Sequence, residues 1–239
     1  MSGSTYDEVV RLLLIRHAQT PHNVTGALDT AFPGAGLTDL GVRQAGAVPG
    51  VLEADAIAGI YASPLVRTQL TAAPLGRARG MEPSVEEGLE EISAGDFELR
   101  NDRDAILGYV HTVAAWVEGD LGRTMPGGHD GHDFLGRYEG ALRRIAKAHA
   151  ADDLAVVFSH GAAIRVFTSI AVGLGTDQAK DLHIANTGAS LLEGHPDTGW
   201  ELRRWVSDPL GGSHLLDATA HDIAGESTPE AEVEAIDHH

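Results

Sequence analysis

The amino-acid sequence predicts an α/β fold with a mostly parallel central sheet flanked by helices. Two apolar runs support this prediction, residues 11–15 and residues 154–158. Neither run alternates between apolar and polar residues, which is typical of strands that are buried on both faces. His17 follows the first run and His160 follows the second. Because ligands bind at the carboxyl edge of open α/β sheets, we expect the two histidines to share one pocket.

The first half of the chain contains a second strand signal and two helix signals. Residues 56–61 are predicted to form a buried strand that ends at Ser63. Thr38 is a natural N-cap for a helix that runs to about residue 53 and is disturbed at Pro49. The remaining predictions are a helix over residues 65–77 and a short strand over residues 83–85.

The second half begins with a segment, residues 96–131, that we expect to form an insertion or cap over the site. Within it, residues 105–117 are predicted to be helical. Alternating residues in two later stretches predict a terminal hairpin, from residues 189–193 and 200–205. Two further helices are predicted over residues 133–150 and 161–173.

We expect residues 1–206 to form a single domain, since α/β domains of this length often remain undivided. Gly, Asp, Glu, His and Ala dominate residues 207–239, where aromatic residues are absent. This composition predicts an acidic, loosely ordered C-terminal tail. Residues 1–9 are expected to form a short mobile arm.

The composition argues against several classes of function. The 239-residue chain has a formal net charge of −18, which argues against nucleic-acid binding through a broad basic surface. It contains no cysteine, so disulfides and thiolate sites are excluded. Since no signal-peptide pattern, membrane-spanning run or nucleotide-binding loop is found, we expect a cytoplasmic protein without a cofactor or a membrane partner. Its oligomeric state is expected to be a monomer or a homodimer.

Arg16, His17, Arg67 and His160 together offer the groups that phosphoryl transfer requires. An arginine binds phosphate through two parallel hydrogen bonds and keeps its charge. A neutral imidazole can attack phosphorus and carry the phosphoryl group. The nearby arginines favour a neutral His17, because like charges disfavour the charged form of the ring. These residues predict a site for a small phosphorylated substrate, with no metal ion.

Five segments follow one another along the chain: residues 16–20, Asn23, residues 63–68, Glu91 and residues 159–161. In order and spacing they resemble the motifs of the histidine phosphatase superfamily. The resemblance covers roughly residues 11–205 and implies a three-layer sandwich of the phosphoglycerate mutase-like kind, with a small cap insertion. It departs from the family pattern at Ala18, where glycine is usual, and at Gln19, where glutamate is common.

The resemblance also implies a role for each matching residue. His17 is expected to be the nucleophile that becomes a phosphohistidine, and Glu91 the general acid, with Glu90 as an alternative acid. His160 is expected to donate to a non-bridging phosphate oxygen. Arg16 and Arg67 complete the predicted catalytic set. Expected substrate-binding groups are Thr20, Asn23, Asn186 and the main-chain amides of Gly161 and Ala162.

The resulting hypothesis is a phosphomonoesterase of the histidine acid phosphatase type with an acidic to neutral pH optimum. A phosphoglycerate mutase would share its first steps and return the phosphoryl group to a second hydroxyl. The segment after Glu91 favours a hydrolase, because residues 100–104 differ from the long basic and aromatic stretch of cofactor-dependent mutases.

Two alternatives from other classes remain open. A non-catalytic phosphate sensor could use the same fold, although the retained His17 and Glu91 favour an enzyme. A metal-binding protein is suggested by a cluster of histidines and carboxylates at His129, Asp130, His132 and Asp133. Because a third ligand is not identified and two glycines precede the cluster, an incidental polar loop is favoured over a metal site.

Overall fold

The structure is a computed structural model that describes residues 9–237, so almost all of the expected N-terminal arm lies outside the described residues. Six strands form one sheet in the order β3-β2-β4-β1-β5-β6. The strands are β1 (Val10–Arg16), β2 (Ile57–Ala62), β3 (Ser84–Val85), β4 (Leu154–Ser159), β5 (Ala189–His195) and β6 (Gly199–Val206).

The first four strands in this order run parallel to one another, whereas β5 and β6 form an antiparallel hairpin at the other side. The mostly parallel sheet and the terminal hairpin are therefore confirmed. The central pair, β1 and β4, is buried almost throughout. Strands buried on both faces need no polar alternation, which explains the continuous apolar runs.

Helices cover both faces of the sheet and complete a three-layer α/β sandwich, as predicted. They are α1 (Pro21–Thr25), α2 (Asp39–Val51), α3 (Val66–Arg79), α4 (Arg103–Val117), α5 (Gly131–Lys147), α6 (Gly161–Ala171), α7 (Thr176–Lys180) and α8 (Thr228–Asp237). No helix in the described part of the chain is long and apolar enough to span a membrane.

Successive residues of β1 pack into different apolar clusters because side chains alternate across a strand. Leu12 and Leu14 join the cluster beneath α4, α5 and α6, whereas Leu13 and Ile15 join the cluster beneath α2 and α3. The sheet is thus held rigidly between two cores. The loops at its carboxyl edge are carried on this rigid frame.

Side-chain caps define where several helices begin. Thr38 accepts a hydrogen bond from the amide of Gly41, which confirms it as the N-cap of α2. Asp130 caps α5 in the same way, by accepting from the amide of Asp133. Because of that cap, α5 begins two residues before the predicted start. Pro49 lies within α2 and does not end it.

The segment that we expected to be a loose tail packs on the rest of the chain instead. Residues 207–227 pack against the loop after β1 and against α2. The side chain of Gln44 in α2 donates to the carbonyl oxygen of Leu215. Ile223, Ala231 and Ala235 are buried, and α8 packs against α4. The prediction of looseness rested on missing aromatic residues, but small apolar residues and hydrogen bonds hold this segment in place.

Candidate active site

The parallel pairing of β1 and β4 brings the two histidine motifs together. Arg16 lies beside Ser159 in the register of the two strands, so His17 and His160 follow at the same sheet edge. Their ring centroids are 5.3 Å apart. The histidines, distant in sequence, thus share one site, as predicted.

His17 is held as a neutral ring with a defined tautomer. Its Nδ1 lies 2.9 Å from the carbonyl oxygen of Ala18, which can only accept, so Nδ1 carries the proton and Nε2 keeps its lone pair. Burial, followed by the charges of Arg67 and Arg16, holds the pKa of His17 well below its usual value. The ring is therefore unprotonated at neutral pH.

His160 is fully buried beside Ser63, a residue that follows β2. Its Nε2 lies 2.7 Å from the Ser63 hydroxyl oxygen, while Nδ1 has no hydrogen-bond partner among the described residues. Burial and the neighbouring charge of Arg67 keep the pKa of His160 well below its usual value. Two neutral imidazoles therefore stand side by side in this site.

Arg67 lies in the first turn of α3 and is almost fully buried. One terminal nitrogen donates to the carbonyl oxygen of Asp29 at 2.9 Å. Its other terminal nitrogen lies 3.5 Å from the Asp29 carboxylate, in an ion pair but without a hydrogen bond. Its Nε also lacks a partner among residues 9–237. Buried donors of this kind point to a ligand that accepts hydrogen bonds.

Arg16 is the last residue of β1, and its guanidinium is fully buried. It donates to the carbonyl oxygen of Ile184 at 2.8 Å. Two further hydrogen bonds, of 2.6 and 2.5 Å, go to the two carboxylate oxygens of Asp222. This bidentate pair has the geometry with which arginine binds phosphate.

Glu91 is buried at the N-terminus of α6. Its carboxylate accepts from the amides of Ala162 at 3.2 Å and Ala163 at 2.8 Å, and from its neighbour's amide at 2.9 Å. The expectation that the Ala162 amide points at the substrate is therefore wrong for this structure, since Glu91 caps the helix there. Glu90 instead faces Arg137, and Glu91 rather than Glu90 lines the cavity with His17.

The expected phosphate-binding polar groups divide into two sets. Thr20 caps α1 and, with Asn23, forms a capping box, and both residues line the cavity. The side-chain amide of Asn23 donates to Asp222 at 3.0 Å. Asn186 instead supports the site from behind, because its amide donates to the carbonyl oxygen of His17 at 3.1 Å and to Asn23.

Gly161, where we expected a phosphate to approach closely, meets another part of the chain. A Cβ atom at this position would lie 2.5 Å from the carbonyl oxygen of Ala224 and 2.9 Å from Nε of Arg16. Only glycine leaves room for that approach. The close neighbour of Gly161 is thus the C-terminal segment.

The histidine and carboxylate cluster proposed as an alternative metal site lies elsewhere. His129 and Asp133 are exposed and their nearest nitrogen and oxygen are 3.3 Å apart. Within residues 9–237, no group of three or more histidines and carboxylates is arranged to hold a metal ion. The geometry therefore gives no support to the metal-binding alternative.

Two residues of the site escaped sequence reasoning. Asp29 binds Arg67, and Asp222 binds Arg16 and Asn23. Both carboxylates lie in segments without a periodic pattern. For Asp222, the only available signal was an excess of buried positive charge at the predicted site, which a carboxylate could balance.

A buried, neutral histidine pair flanked by arginines at the carboxyl edge of a parallel sheet defines the class of phosphoryl-handling α/β proteins. The model of the histidine phosphatase superfamily (branch 1) matches residues 12–208, so the chain belongs to this superfamily. The family resemblance expected from the sequence is confirmed.

Individual relatives agree with this assignment. The chain is 37% identical over 224 residues to PE-PGRS family protein PE_PGRS11 of Mycobacterium tuberculosis, covering 87% of this chain but only 38% of that protein's length. It is 28% identical to phosphoserine phosphatase 1 of Hydrogenobacter thermophilus, covering 77% of this chain and 86% of the relative.

A solved structure with the same fold is that of a mycobacterial glucosyl-3-phosphoglycerate phosphatase. It superposes with a TM-score of 0.69 at 24% identity, over 84% of this chain and all of that chain (100%). This likeness supports the phosphoglycerate mutase-like fold.

Proposed function

We propose that the chain is a metal-independent phosphomonoesterase that hydrolyses a small phosphorylated metabolite through a phosphohistidine on His17. One observation carries the proposal: His17 is buried and neutral with its Nε2 lone pair available, beside donors of Arg67 and His160 that have no hydrogen-bond partner in the described part of the chain. Relatives named as phosphatases belong to the same superfamily and support this reading.

In the first step, Nε2 of His17 attacks phosphorus and the bond from phosphorus to the ester oxygen breaks. The transition state spreads negative charge over the three non-bridging oxygens. Arg16, Arg67 and Nδ1–H of His160 supply the donors for these oxygens. The Ser63 hydroxyl donates to Nε2 of His160 in this arrangement, which leaves the His160 proton on Nδ1.

The leaving oxygen takes a proton from Glu91, which lines the same cavity as His17. In the second step, Glu91 takes a proton from a water molecule as that water attacks phosphorus. The bond between phosphorus and Nε2 breaks, and inorganic phosphate leaves with His17 neutral again. Proton and charge therefore balance over the two steps without a metal ion.

An open cleft lies next to this site and gives room for the rest of the substrate. A cavity of about 780 Å³ lies on the other side of Glu91 and Thr30, with Arg137 and Phe32 among its lining residues. A leaving group held there would place its oxygen near Glu91. A mutase would need to keep that group bound while it turns, whereas a hydrolase can release it into this open cleft, which favours hydrolysis.

The test is phosphate release from a panel of phosphomonoesters, including p-nitrophenyl phosphate, phosphoserine and 3-phosphoglycerate, with a chelator present. We expect His17→Ala to abolish release, and we expect wild-type protein quenched in alkaline denaturant, where a phosphohistidine is stable, to carry that group during turnover. His132→Ala is the matched control, since His132 is exposed and lies outside the site.

Three results would contradict the proposal. Release that survives His17→Ala would show that another residue is the nucleophile. Conversion of 3-phosphoglycerate to its 2-phospho isomer without phosphate release would establish a mutase. Phosphate binding without turnover of any ester would establish a sensor.

A further inference from the structure

The C-terminal segment occupies the place where the proposed function puts the substrate phosphate. Asp222 presents two carboxylate oxygens to Arg16 at 2.6 and 2.5 Å, and one of them also accepts from Asn23 at 3.0 Å. A phosphoryl group bound beside His17 would use these same donors. A carboxylate and a phosphate can each accept two parallel hydrogen bonds from one arginine guanidinium.

The main chain next to Asp222 closes the site as well. The carbonyl oxygen of Ala224 lies over Gly161, and the carbonyl oxygen of Gly225 accepts from the amide of Ile184 at 2.8 Å. Ile223 is buried. On the other side, the Gln19 side chain donates to Asp217 at 2.9 Å. Residues 217–227, here called the cover, are therefore anchored on both sides of Asp222.

The space that the cover leaves is too small for a substrate. The cavity enclosed by His17, Arg67 and Glu91 on one side and by the cover on the other has a volume of about 20 Å³. A water molecule needs roughly 10–15 Å³ of such volume, so a phosphorus with three oxygens does not fit. The adjoining cleft of about 780 Å³ is open, so the restriction is confined to the phosphoryl end.

A purely supporting role for Asp222 does not explain this arrangement. A carboxylate that only oriented Arg16 would lie behind the guanidinium and leave its front open. Asp222 instead lines the cavity together with His17, and its side chain is 17% exposed. The carboxylate thus stands between Arg16 and the nucleophile's cavity.

We propose that the cover is an autoinhibitory element whose Asp222 carboxylate mimics the substrate phosphate and must leave Arg16 and Asn23 before a substrate can bind. This inference rests on the proposed function, because it takes Arg16 and Asn23 to be phosphate ligands. Substrate phosphate and Asp222 then compete for the same donors. The apparent affinity for phosphate is then the intrinsic affinity multiplied by the fraction of molecules in which the cover is open.

The direct test is calorimetric titration of wild-type protein, Asp222→Asn and Asp208→Asn with inorganic phosphate. Asp222→Asn keeps the shape of the side chain but removes the charge that competes for Arg16. We expect it to bind phosphate about tenfold more tightly than wild type. Asp208→Asn removes the same charge from an exposed position outside the cover and should leave the affinity unchanged.

Hydrogen exchange of the wild-type protein provides a second test that needs no variant. Saturating phosphate should speed exchange at the amide of Ile184, which donates to Gly225, and across residues 217–227. Slower exchange in the cover would mean that phosphate binds beneath a closed cover, and it would overturn the proposal. Equal or weaker phosphate binding by Asp222→Asn would overturn it too.

These outcomes separate the cover from the proposed function. If Asp222→Asn binds phosphate no better while ester hydrolysis still depends on His17, only the cover proposal fails. If no protein in the series binds phosphate and wild-type protein releases none from any ester, both fail together.

Discussion

Arg16 and Arg67 belong to two halves of the pocket, and the two arginines differ in how many of their hydrogen-bond donors the protein itself occupies. Both side chains are almost fully buried. In the half built on β1 and the cover, Arg16 makes three hydrogen bonds, and within residues 9–237 only its Nε is left without a hydrogen-bond partner. In the half built on α3, Arg67 makes one, to Asp29, and two of its nitrogens have no hydrogen-bond partner among the described residues.

The terminal nitrogens of Arg16 are therefore already occupied by groups of the protein, whereas donors of Arg67 are available to a ligand. A buried donor without a partner costs free energy, so such donors persist where a ligand will satisfy them. In the proposed function, the Arg67 half therefore retains donors for a substrate phosphate, whereas the Arg16 half would gain that phosphate only in exchange for Asp222. Burial alone would not have distinguished the two arginines.

The largest expected effect is that of removing Arg67. Arg67→Gln should lower kcat/KM by about 10²–10³-fold, since a preorganised donor to the transition state is lost. Arg16→Gln should cost about tenfold less, because part of what Arg16 gives the phosphate replaces its bond to Asp222. Steady-state kinetics with p-nitrophenyl phosphate measure both losses.

Arg43→Gln is the matched control, since Arg43 is exposed on α2 and does not line the cavity. It should leave kcat/KM unchanged. Equal losses for Arg16→Gln and Arg67→Gln would remove the contrast between the two halves.

The next effect concerns the pH dependence of stability, which we expect to depend on His17 after β1 and His160 after β4. The pKa values of His17 and His160 lie well below the usual value in the folded chain, so the unfolded chain binds more protons as the pH falls past about 6.5. Stability is therefore full above that pH and is lost below it. Between about pH 7.5 and 5.5 the two histidines should together remove about 2–3 kcal/mol from the free energy of unfolding.

Urea unfolding of His17→Gln and His160→Gln at both pH values sharpens the comparison. Each variant should remove about half of this pH-dependent change in the free energy of unfolding if the two histidine rings are desolvated equally. His132→Gln, at an exposed position, should leave the pH dependence as it is in wild type. A steeper decline in either buried variant would mean that the ring is charged in the folded protein.

A smaller effect is expected at Ser63, which orients His160. Ser63→Ala removes the partner of Nε2 and should lower kcat by about tenfold, ~1.4 kcal/mol, with KM little changed. The acidic limb of the kcat profile should shift, because the hydrogen bond that sets the tautomer is gone. Ser63→Thr restores a hydroxyl and should recover part of the rate, which a loss of packing alone would not allow.

The smallest effect is expected at Arg137, which holds the segment that carries Glu91. Its guanidinium donates to the carbonyl oxygens of Gly88, Glu90 and Glu91 at 2.7–2.9 Å. Arg137→Met should lower kcat by about threefold, because Glu91 is less well placed to give its proton. Arg143→Met is the matched control on the same helix, because Arg143 bonds to Asp197 and does not line the open cleft. Similar rates for both variants would show that the hydrogen bonds of Arg137 do not help to position Glu91.

The sequence predicted the parts of the site that follow buried strands. His17 and His160 were placed correctly because each comes directly after an apolar run, and parallel strands end at the same edge. The Ala162 amide was assigned wrongly, since Glu91 reaches it from a segment 71 positions away in the chain. No local pattern reports a helix cap of that kind.

The contacts of Asp222 were equally hidden. It binds Arg16 across 206 positions of sequence, from a region with neither strand nor helix periodicity. The small apolar residues that anchor this region, among them Ile223 and Ala231, carry little signal by themselves. The sequence indicated a surplus of positive charge at the site, but it did not indicate that Asp222 is the carboxylate that balances this charge.

The cover is joined to the domain on both sides, by β6 before it and by α8 after it, and α8 packs on α4. Its carboxylate is therefore an intramolecular ligand, whose effective concentration stays the same however dilute the protein is. Dilution cannot free Arg16 from it, but a rising level of phosphate ester can. The tether would then raise the concentration of ester at which the enzyme is half-saturated, and scarce esters would be hydrolysed slowly.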